Sequence, residues 1–113
     1  MAHRDIKPEN FKLKGKDKDL VLYDFGCSQC FDDGEDDLVT KTAGTYYFFA
    51  PEIFIHKEDS PKIMHGKRCD VWAAGITLFR IAAQSHPFTY SKGMPALIYS
   101  VVHDEVDYSV FGA

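Results

Sequence analysis

The sequence lacks both an excess of positive charge and any long apolar run. Its 13 Lys and Arg residues are outnumbered by 17 Asp and Glu residues, which gives a net charge of −4. Nucleic acids and anionic membranes attract clustered positive charge, so we expect neither of them as a partner. The longest apolar stretch, residues 71–79, is too short to span a bilayer. The N-terminus has no basic segment followed by an apolar one, so we expect no signal peptide.

Cysteine is also scarce. The sequence has three cysteines, an odd number, at Cys27, Cys30 and Cys69. Without a secretion signal this favours a reducing environment, so we expect an intracellular, cytoplasmic protein, with the nucleus as an alternative. Cys27 and Cys30 form a C-x-x-C motif, which keeps a small metal or redox protein open as a distant alternative. A zinc site would need more ligands, and only Cys69, His56 and His65 could supply them. The thioredoxin-like context of a redox motif is absent.

Local patterns predict an α+β fold, mainly helical, in a chain whose 113 residues allow at most one domain. Alternating apolar and polar residues predict strands at 11–14 and 20–23, joined by a charged turn into a small β-hairpin. The irregular stretches 25–45 and 58–69 are predicted to be surface loops. Apolar spacing and helix-start residues predict three helices, at residues 51–57, 70–83 and 95–106.

Four motifs stand in a fixed order along the chain. They are HRDIKPEN at 3–10, DFG at 24–26, GTYYFFAPE at 44–52 and DVWAAG at 70–75. Each is uninformative alone, but in this order, across about two-thirds of the chain, they resemble the catalytic lobe of the eukaryotic protein kinase family. The D-x-K-x-x-N pattern within the first motif and the Gly-Thr pair that opens the third resemble the serine/threonine branch. The letters PENF lean toward the calcium- and calmodulin-linked group.

The resemblance implies a partial kinase domain over residues 1–113, equivalent to part of the C-terminal lobe. It divides the chain into a catalytic loop at 3–10, a hairpin at 11–23, an activation segment at 24–52 and a helical remainder at 53–113. The family's glycine-rich loop, strand lysine and helix glutamate, which cover and orient ATP, are not in this sequence. We therefore expect a fragment that is inactive alone. The alternative is a truncated, non-catalytic, kinase-like binding module.

The resemblance implies transfer of the γ-phosphoryl group of ATP to a Ser or Thr hydroxyl of a protein substrate, with ATP and Mg²⁺ as cofactors. Asp5 would accept the proton of that hydroxyl, and Lys7 would place a compact positive charge on the phosphate. Asn10 and Asp24 would be metal ligands, because hard Mg²⁺ prefers oxygen donors. Both would also contact the nucleotide, as Lys7 would, and Thr45 would support the substrate hydroxyl.

The resemblance also implies regulation by phosphate. Arg4 makes charge-assisted bonds to phosphate in such sites, so we expect an upstream activating kinase to phosphorylate Thr42, with Thr40 as the second candidate. The acidic residues of 32–37 form a solvated loop tip, or they approach Arg4 and partly substitute for that phosphate, or they attract basic substrates. Lys12 departs from the family, which keeps an apolar residue here at the floor of the adenine pocket. Its methylenes could lie along the base, or the residue could weaken ATP binding.

Structural roles are implied for six further residues: His3, Phe25, Gly26, Glu52, Asp70 and Trp72. The family packs His3 near the ring of Phe25, and glycine gives the chain freedom after the DFG aspartate. Glu52 lacks the arginine that usually pairs with it, which would make its burial costly. Asp70 would hold the backbone at residues 3–4, cap a helix N-terminus, or do both. Trp72 lies in a helix that is apolar nearly all round, so we expect burial or an aggregation-prone surface.

Overall fold

The computed structural model of the chain describes residues 1–55, 64–88 and 91–112. Short strands are β1 Phe11–Lys14, β2 Asp19–Leu22, β3 Leu38–Val39 and β4 Met64–His65. The α-helices are α1 Pro51–Phe54, α2 Gly66–Ala83 and α3 Met94–His103. Short 3-10 helices are found at Pro8–Asn10, Tyr46–Phe48 and Ser109–Phe111. The predicted mainly helical α+β class is confirmed. In the part of the chain that the structure describes, no helix is both long and apolar enough to cross a membrane.

The predicted hairpin is confirmed, with its second strand beginning one residue earlier than expected. β1 and β2 pair antiparallel, with Phe11 opposite Leu22 and Lys14 opposite Asp19. The pairing continues past the strands, because the backbone N–H of Tyr23 donates to the carbonyl of Asn10 at 2.7 Å. The open end of the hairpin therefore joins the end of the HRDIKPEN motif directly to the start of the DFG motif.

A second, two-stranded pairing lies where the sequence predicts only loops. β3 and β4 are antiparallel, with Leu38 opposite His65 and Val39 opposite Met64. Val39 and Met64 are 3% and 2% exposed and pack with Ala50. The loop prediction for residues 38–39 and 64–65 is wrong, because strands of two residues carry no detectable alternation and their pairing depends on a distant partner.

Helix α2 begins at Gly66, before the predicted start at Asp70. Its first turn is satisfied from a distant segment: Gly66 N–H donates to the carbonyl of Asp37 at 2.8 Å, and Lys67 N–H donates to Asp37 Oδ2 at 3.0 Å. Such partners satisfy donors that a helix N-terminus otherwise leaves unpaired. A Cβ on Gly66 would lie 2.9 Å from the Ala2 side chain, so only glycine fits there without movement. Asp70 lies one turn inside the helix, and the N-cap alternative for it is wrong.

The other helices follow the predicted pattern with shifted ends. α1 begins at Pro51 as predicted and ends at Phe54; residues 56–57 of the predicted helix lie outside the described residues. α3 ends at His103 rather than at residue 106. The sequence predicts that one face of this helix carries Leu97, Ile98, Val101 and Val102. Leu97 and Val101 are buried, and Ile98 and Val102 are partly buried.

Most of the core lies between α2, α3 and the end of the GTYYFFAPE motif. The main cluster consists of Phe48, Ala73, Ile76, Phe88, Leu97 and Val101. Trp72 is half-buried and stacks on Phe88, with ring centroids 5.7 Å apart and planes 8° from parallel. The opposite side of α2 is open: Val71 is 74% exposed and Leu78 is 69% exposed. The helix therefore buries one face and leaves another apolar face in water.

Candidate active site

The catalytic loop is held by a carboxylate from α2. Asp70 Oδ2 accepts the backbone N–H of His3 at 2.7 Å, and Asp70 Oδ1 accepts that of Arg4 at 2.8 Å. Arg4 has a φ of +70°, a backbone conformation that costs free energy for a residue with a side chain. Two hydrogen bonds to a charged acceptor offset part of that cost. Asp70 thus fixes the direction in which the loop leaves Arg4.

His3 is buried, and both of its ring nitrogens have partners. Nδ1 accepts the backbone N–H of Asp5 at 3.1 Å, so the proton lies on Nε2, which donates to the carbonyl of Tyr23 at 2.9 Å. The ring meets Phe25 edge-on, with centroids 5.0 Å apart. His3 ties the catalytic loop to the DFG segment, and neither nitrogen is left for proton transfer.

A carboxylate, a hydroxyl and an ammonium group meet at the centre of the site. The hydroxyl of Thr45 donates to Asp5 Oδ1 at 2.8 Å and accepts a hydrogen bond from Lys7 Nζ at 2.9 Å. Lys7 Nζ also lies 3.7 Å from Asp5 Oδ2, and the Asp5 side chain is 12% exposed. A hydroxyl therefore fits between the carboxylate and the cation, where it can lose a proton on one side and meet positive charge on the other.

Two oxygen-bearing side chains flank the open end of the hairpin. The amide of Asn10 donates to the Asp5 carbonyl at 2.7 Å and lies 3.4 Å from Asp5 Oδ2. Asp24 is exposed and has a φ of +60°. The backbone pairing of Asn10 with Tyr23 places Asp24 next to Asn10 across the hairpin. One amide oxygen and one carboxylate at this position fit Mg²⁺, which keeps several waters and takes few protein ligands.

The role expected for Gly26 differs from the one that the structure supports. Gly26 does not have a positive φ, whereas Asp24 does. The backbone N–H of Gly26 donates to Asp24 Oδ1 at 3.2 Å, and a Cβ on Gly26 would lie 3.1 Å from that same oxygen. Glycine therefore leaves room for the Asp24 carboxylate rather than supplying an unusual backbone angle.

Arg4 points toward the activation segment. Its guanidinium donates to the carbonyl of Lys41 and, at 3.4 Å, to Gln29 Oε1. Lys41 lies between Thr40 and Thr42, and both threonines are exposed. The structure thus brings Arg4 to the chain between the two candidate phosphorylation sites.

The acidic run does not supply a substitute for phosphate at Arg4. Asp37 Oδ1 lies 2.8 Å from His65 Nδ1, and this contact together with the Lys67 N–H lowers the pKa of Asp37. Within residues 1–55, 64–88 and 91–112, no acid of 32–37 forms an ion pair with Arg4. Asp37 instead ties the activation segment to the start of α2.

Lys12 covers an aromatic ring of the hairpin. Its ammonium lies 5.2 Å from the centroid of the Tyr23 ring, within the range of a cation–π interaction. Tyr23 directly precedes Asp24, so this pair forms the hairpin surface beside the candidate metal ligands.

Glu52 is exposed, which removes the burial cost expected for it. Cys69 donates its S–H to Glu52 Oε1, with 3.7 Å between the heavy atoms. Burial, followed by the charge of Glu52, raises the pKa of Cys69 to about 11.

Cys27 and Cys30 are free thiols. In the described ranges no three His, Cys, Asp or Glu side chains cluster as metal ligands, and His56 lies outside those ranges.

Sequence reasoning missed three groups around the site: Gln29, the Asp37–His65 pair and His86. His86 bonds to the carbonyl of Tyr47, two residues beyond Thr45, at 2.6 Å. All three act on segments far away in the chain, so no local spacing marks them. A weak local signal exists for His86 alone. It directly precedes Pro87 and Phe88 after a long helix, and a loop with an aromatic residue at this position must return to the core.

Comparisons with known proteins agree with the motif order. The family model described as Protein kinase domain matches residues 1–106. Calcium-dependent protein kinase 7 of Oryza sativa subsp. japonica is 35% identical over 110 residues, which are 96% of this chain and 18% of that protein. Calcium-dependent protein kinase 31 of Arabidopsis thaliana is 40% identical over 87 residues, which are 75% of this chain and 16% of that protein. The chain spans less than a fifth of the length of these relatives. It belongs to the protein kinase family.

Proposed function

We propose that this chain is the catalytic-lobe part of a serine/threonine protein kinase, which transfers the γ-phosphoryl group of ATP to a hydroxyl of a protein substrate. The observation that carries the proposal is the Thr45 hydroxyl held between Asp5 and Lys7. The surroundings of that hydroxyl have the chemistry that a phosphoryl acceptor needs. Phosphoryl transfer depends on positioning and charge neutralisation, and these groups supply both.

Asp5 is the proposed base. A substrate Ser or Thr hydroxyl beside Thr45 would donate its proton to an oxygen of Asp5, whose position is fixed by Asn10 and by the Thr45 hydroxyl. Lys7 would stay close to the transferred phosphate and neutralise part of its charge. Thr45 would then hold the Asp5 carboxylate and the Lys7 ammonium at a separation that leaves room for a hydroxyl.

Asn10 and Asp24 are the proposed Mg²⁺ ligands, on the two sides of the hairpin opening. A bound Mg²⁺ supplies charge neutralisation to the phosphates of ATP. Lys12 and Tyr23 lie beside this position, so we propose that they contact the nucleotide. The cation–π pair holds the Lys12 ammonium over the Tyr23 ring. The ammonium there limits how closely the adenine base of ATP can approach the hairpin.

Arg4 is the proposed receptor for an activating phosphate. A phosphate on Thr42, added by an upstream kinase, would offer stronger acceptors than the Lys41 carbonyl that Arg4 now contacts. Thr40 is the second candidate on the other side of Lys41. Once the phosphate replaces the Lys41 carbonyl as the acceptor for Arg4, the activation segment would become ordered against the catalytic loop.

The proposed function is tested on the protein as its own gene expresses it, captured with an antibody against residues 94–103. Peptides with Ser, Thr or Tyr as the sole acceptor are assayed with labelled ATP, with and without Mg²⁺. We expect Mg²⁺-dependent transfer to Ser and Thr but not Tyr, and at least about 100-fold less transfer by the Asp5→Asn variant. The Asp19→Asn variant, on an exposed strand of the hairpin, is the matched control and should keep full activity.

A second candidate is a non-catalytic binding module. The exposed apolar face of α2, with Val71, Leu78 and Ile81 each more than half exposed, favours it. Stable binding of a partner protein by wild type and Asp5→Asn alike, with no phosphate transfer by either, would support this candidate over the kinase.

A further inference from the structure

His86 connects the loop after α2 to the segment that carries Thr45. It lies between two aromatic residues of the core: its ring centroid is 6.4 Å from that of Phe48 and 6.2 Å from that of Phe88. Phe48 and Phe88 are each 5% exposed. The imidazole is thus anchored on packed side chains, and it has little freedom to move independently of the core.

Both ring nitrogens of His86 contact backbone groups. The carbonyl of Tyr47 can only accept, so His86 Nε2, at 2.6 Å, carries a proton and donates it. His86 Nδ1 then accepts the backbone N–H of Phe88 at 3.0 Å, and the Phe88 carbonyl lies 3.1 Å from the same nitrogen. Burial lowers the pKa of His86, which favours the neutral ring that this arrangement requires. Arg80 of α2 is the charged group that the described residues place against it.

Tyr47 is two residues from the centre of the site. It belongs to the 3-10 helix Tyr46–Phe48, in which Phe48 N–H donates to the carbonyl of Thr45 at 3.0 Å. Thr45 in turn bonds to both Asp5 and Lys7. A movement of the Tyr47 carbonyl would therefore displace the Thr45 hydroxyl from between the carboxylate and the ammonium.

We propose that His86 is a positioning residue for phosphoryl transfer, which holds the Tyr47 carbonyl through Nε2–H and thereby keeps Thr45 between Asp5 and Lys7. The proposal rests on the proposed function for its catalytic meaning. Its structural part, the link from His86 to Thr45, stands on hydrogen bonds alone. No acid, base or nucleophile role is assigned to His86, since its contacts with the site pass through Tyr47.

Two substitutions separate the contacts of the ring. The His86→Gln variant keeps an N–H at about the reach of Nε2 and can still donate to Tyr47. The His86→Asn variant keeps a short acceptor for the Phe88 N–H, as in an Asx turn, but cannot reach Tyr47. A role limited to the local turn at residues 86–88 would be preserved by asparagine. A role in holding Tyr47 would be preserved by glutamine.

The first measurement is hydrogen exchange of the full 113-residue chain by NMR. We expect the Phe48 amide to lose about tenfold of its protection in His86→Asn and to keep it in His86→Gln. The Ile76 amide in the middle of α2 reports global stability and should be unchanged in both. The His103→Gln variant, at an exposed position of α3, is the control histidine. Equal protection of Phe48 in wild type and His86→Asn, or loss in both variants, would overturn the proposal.

The second measurement is peptide phosphorylation by the same variants in the protein expressed from its own gene. We expect a KM for the peptide several-fold higher in His86→Asn and near wild type in His86→Gln. Absence of transfer even in wild type, with the exchange pattern as expected, would refute the proposed function and leave the link to Thr45 standing. Normal KM values in all variants would overturn the positioning role while leaving the kinase assignment intact.

Discussion

The backbone N–H of Arg4 donates to Asp70 Oδ1 at 2.8 Å, across 66 positions of the chain. The other oxygen of Asp70 accepts the N–H of His3 at 2.7 Å. One carboxylate on a rigid helix therefore fixes two consecutive peptide groups immediately before Asp5. The position of the proposed base depends on this contact as much as on the residues that touch Asp5 itself.

Asp70→Asn should destabilise the chain by about 2–3 kcal/mol, because asparagine offers one acceptor to two N–H groups and carries no charge. Urea unfolding followed by the fluorescence of Trp72 measures the free energy of unfolding. The exposed Asp19→Asn variant should change it by less than about 0.5 kcal/mol. An equal, small change in both variants would show that Asp70 does not hold the loop.

Gly44→Ala should be more destabilising than its backbone angle alone requires. Gly44 has a φ of +99°, and a Cβ there would overlap the carbonyl oxygen of Arg4. Gly34 is the matched control, since its φ is +84° but a Cβ would meet nothing within 4 Å. We expect Gly34→Ala to cost about 1 kcal/mol and Gly44→Ala at least about 3 kcal/mol in urea unfolding. Similar costs for the two variants would refute the close approach to Arg4.

Asp37 should contribute to stability only above a strongly acidic pH. Hydrogen bonds from His65 and Lys67 lower its pKa in the folded chain below the ordinary 3.8. Between the folded pKa and 3.8, the unfolded chain therefore binds more protons than the folded chain. Stability falls as the pH drops from 3.8 through the folded pKa. Unfolding measured from pH 2 to 7 should show a gap between wild type and Asp37→Asn that closes at the acidic end.

The neighbouring Asp36 is exposed, and the Asp36→Asn variant is the matched control, which should change the free energy of unfolding at pH 7 by less than about 0.5 kcal/mol. A gap between wild type and Asp37→Asn that stays unchanged down to the most acidic pH of the series would contradict the cause given for the lowered pKa.

Cys69 should react with iodoacetamide far more slowly than Cys30. With a pKa of about 11, roughly one Cys69 in a thousand is thiolate at pH 8, against about a quarter for an ordinary exposed thiol. Burial also limits access of the reagent. Peptide mapping by mass spectrometry gives both rates in one sample, and we expect them to differ by at least about 100-fold.

The Glu52→Gln variant should speed alkylation of Cys69 by removing the nearby negative charge, while the Cys30 rate serves as internal control. No change at Cys69 would contradict the contribution of the Glu52 charge to its raised pKa.

The residues that lie close together in sequence were the ones that could be predicted best. The hairpin, α1 from Pro51 and the buried face of α3 follow from alternation, proline at a helix start and helical spacing. The motif order also predicts which side chains meet, and Asp5, Lys7, Asn10 and Thr45 do form one hydrogen-bonded group. Their roles in catalysis remain proposals.

Most of the features that sequence reasoning missed depend on distant partners. α2 starts at Gly66 because Asp37 accepts hydrogen bonds from its first N–H groups. The local sequence at 64–69 contains no signal that predicts this distant acceptor. β3 and β4 are too short to show alternation. Gly26 carries no positive φ because Asp24 carries it instead, a division that local sequence does not reveal. His86 contacts Tyr47 across 39 positions.

The same long-range bonds determine when the site can form during folding. The hydrogen bonds that hold Asp5, Lys7 and Thr45 span 38–40 positions, and those from His3 and Arg4 to Asp70 span 66–67. Contacts between distant residues form late, because the entropy of closing the intervening chain must be lost first. On the ribosome, residues 3–10 are synthesised before Asp70. Until Asp70 has been synthesised and has emerged, the loop has no acceptor for its two amides. Order in the catalytic loop is therefore a late event in the biogenesis of this chain.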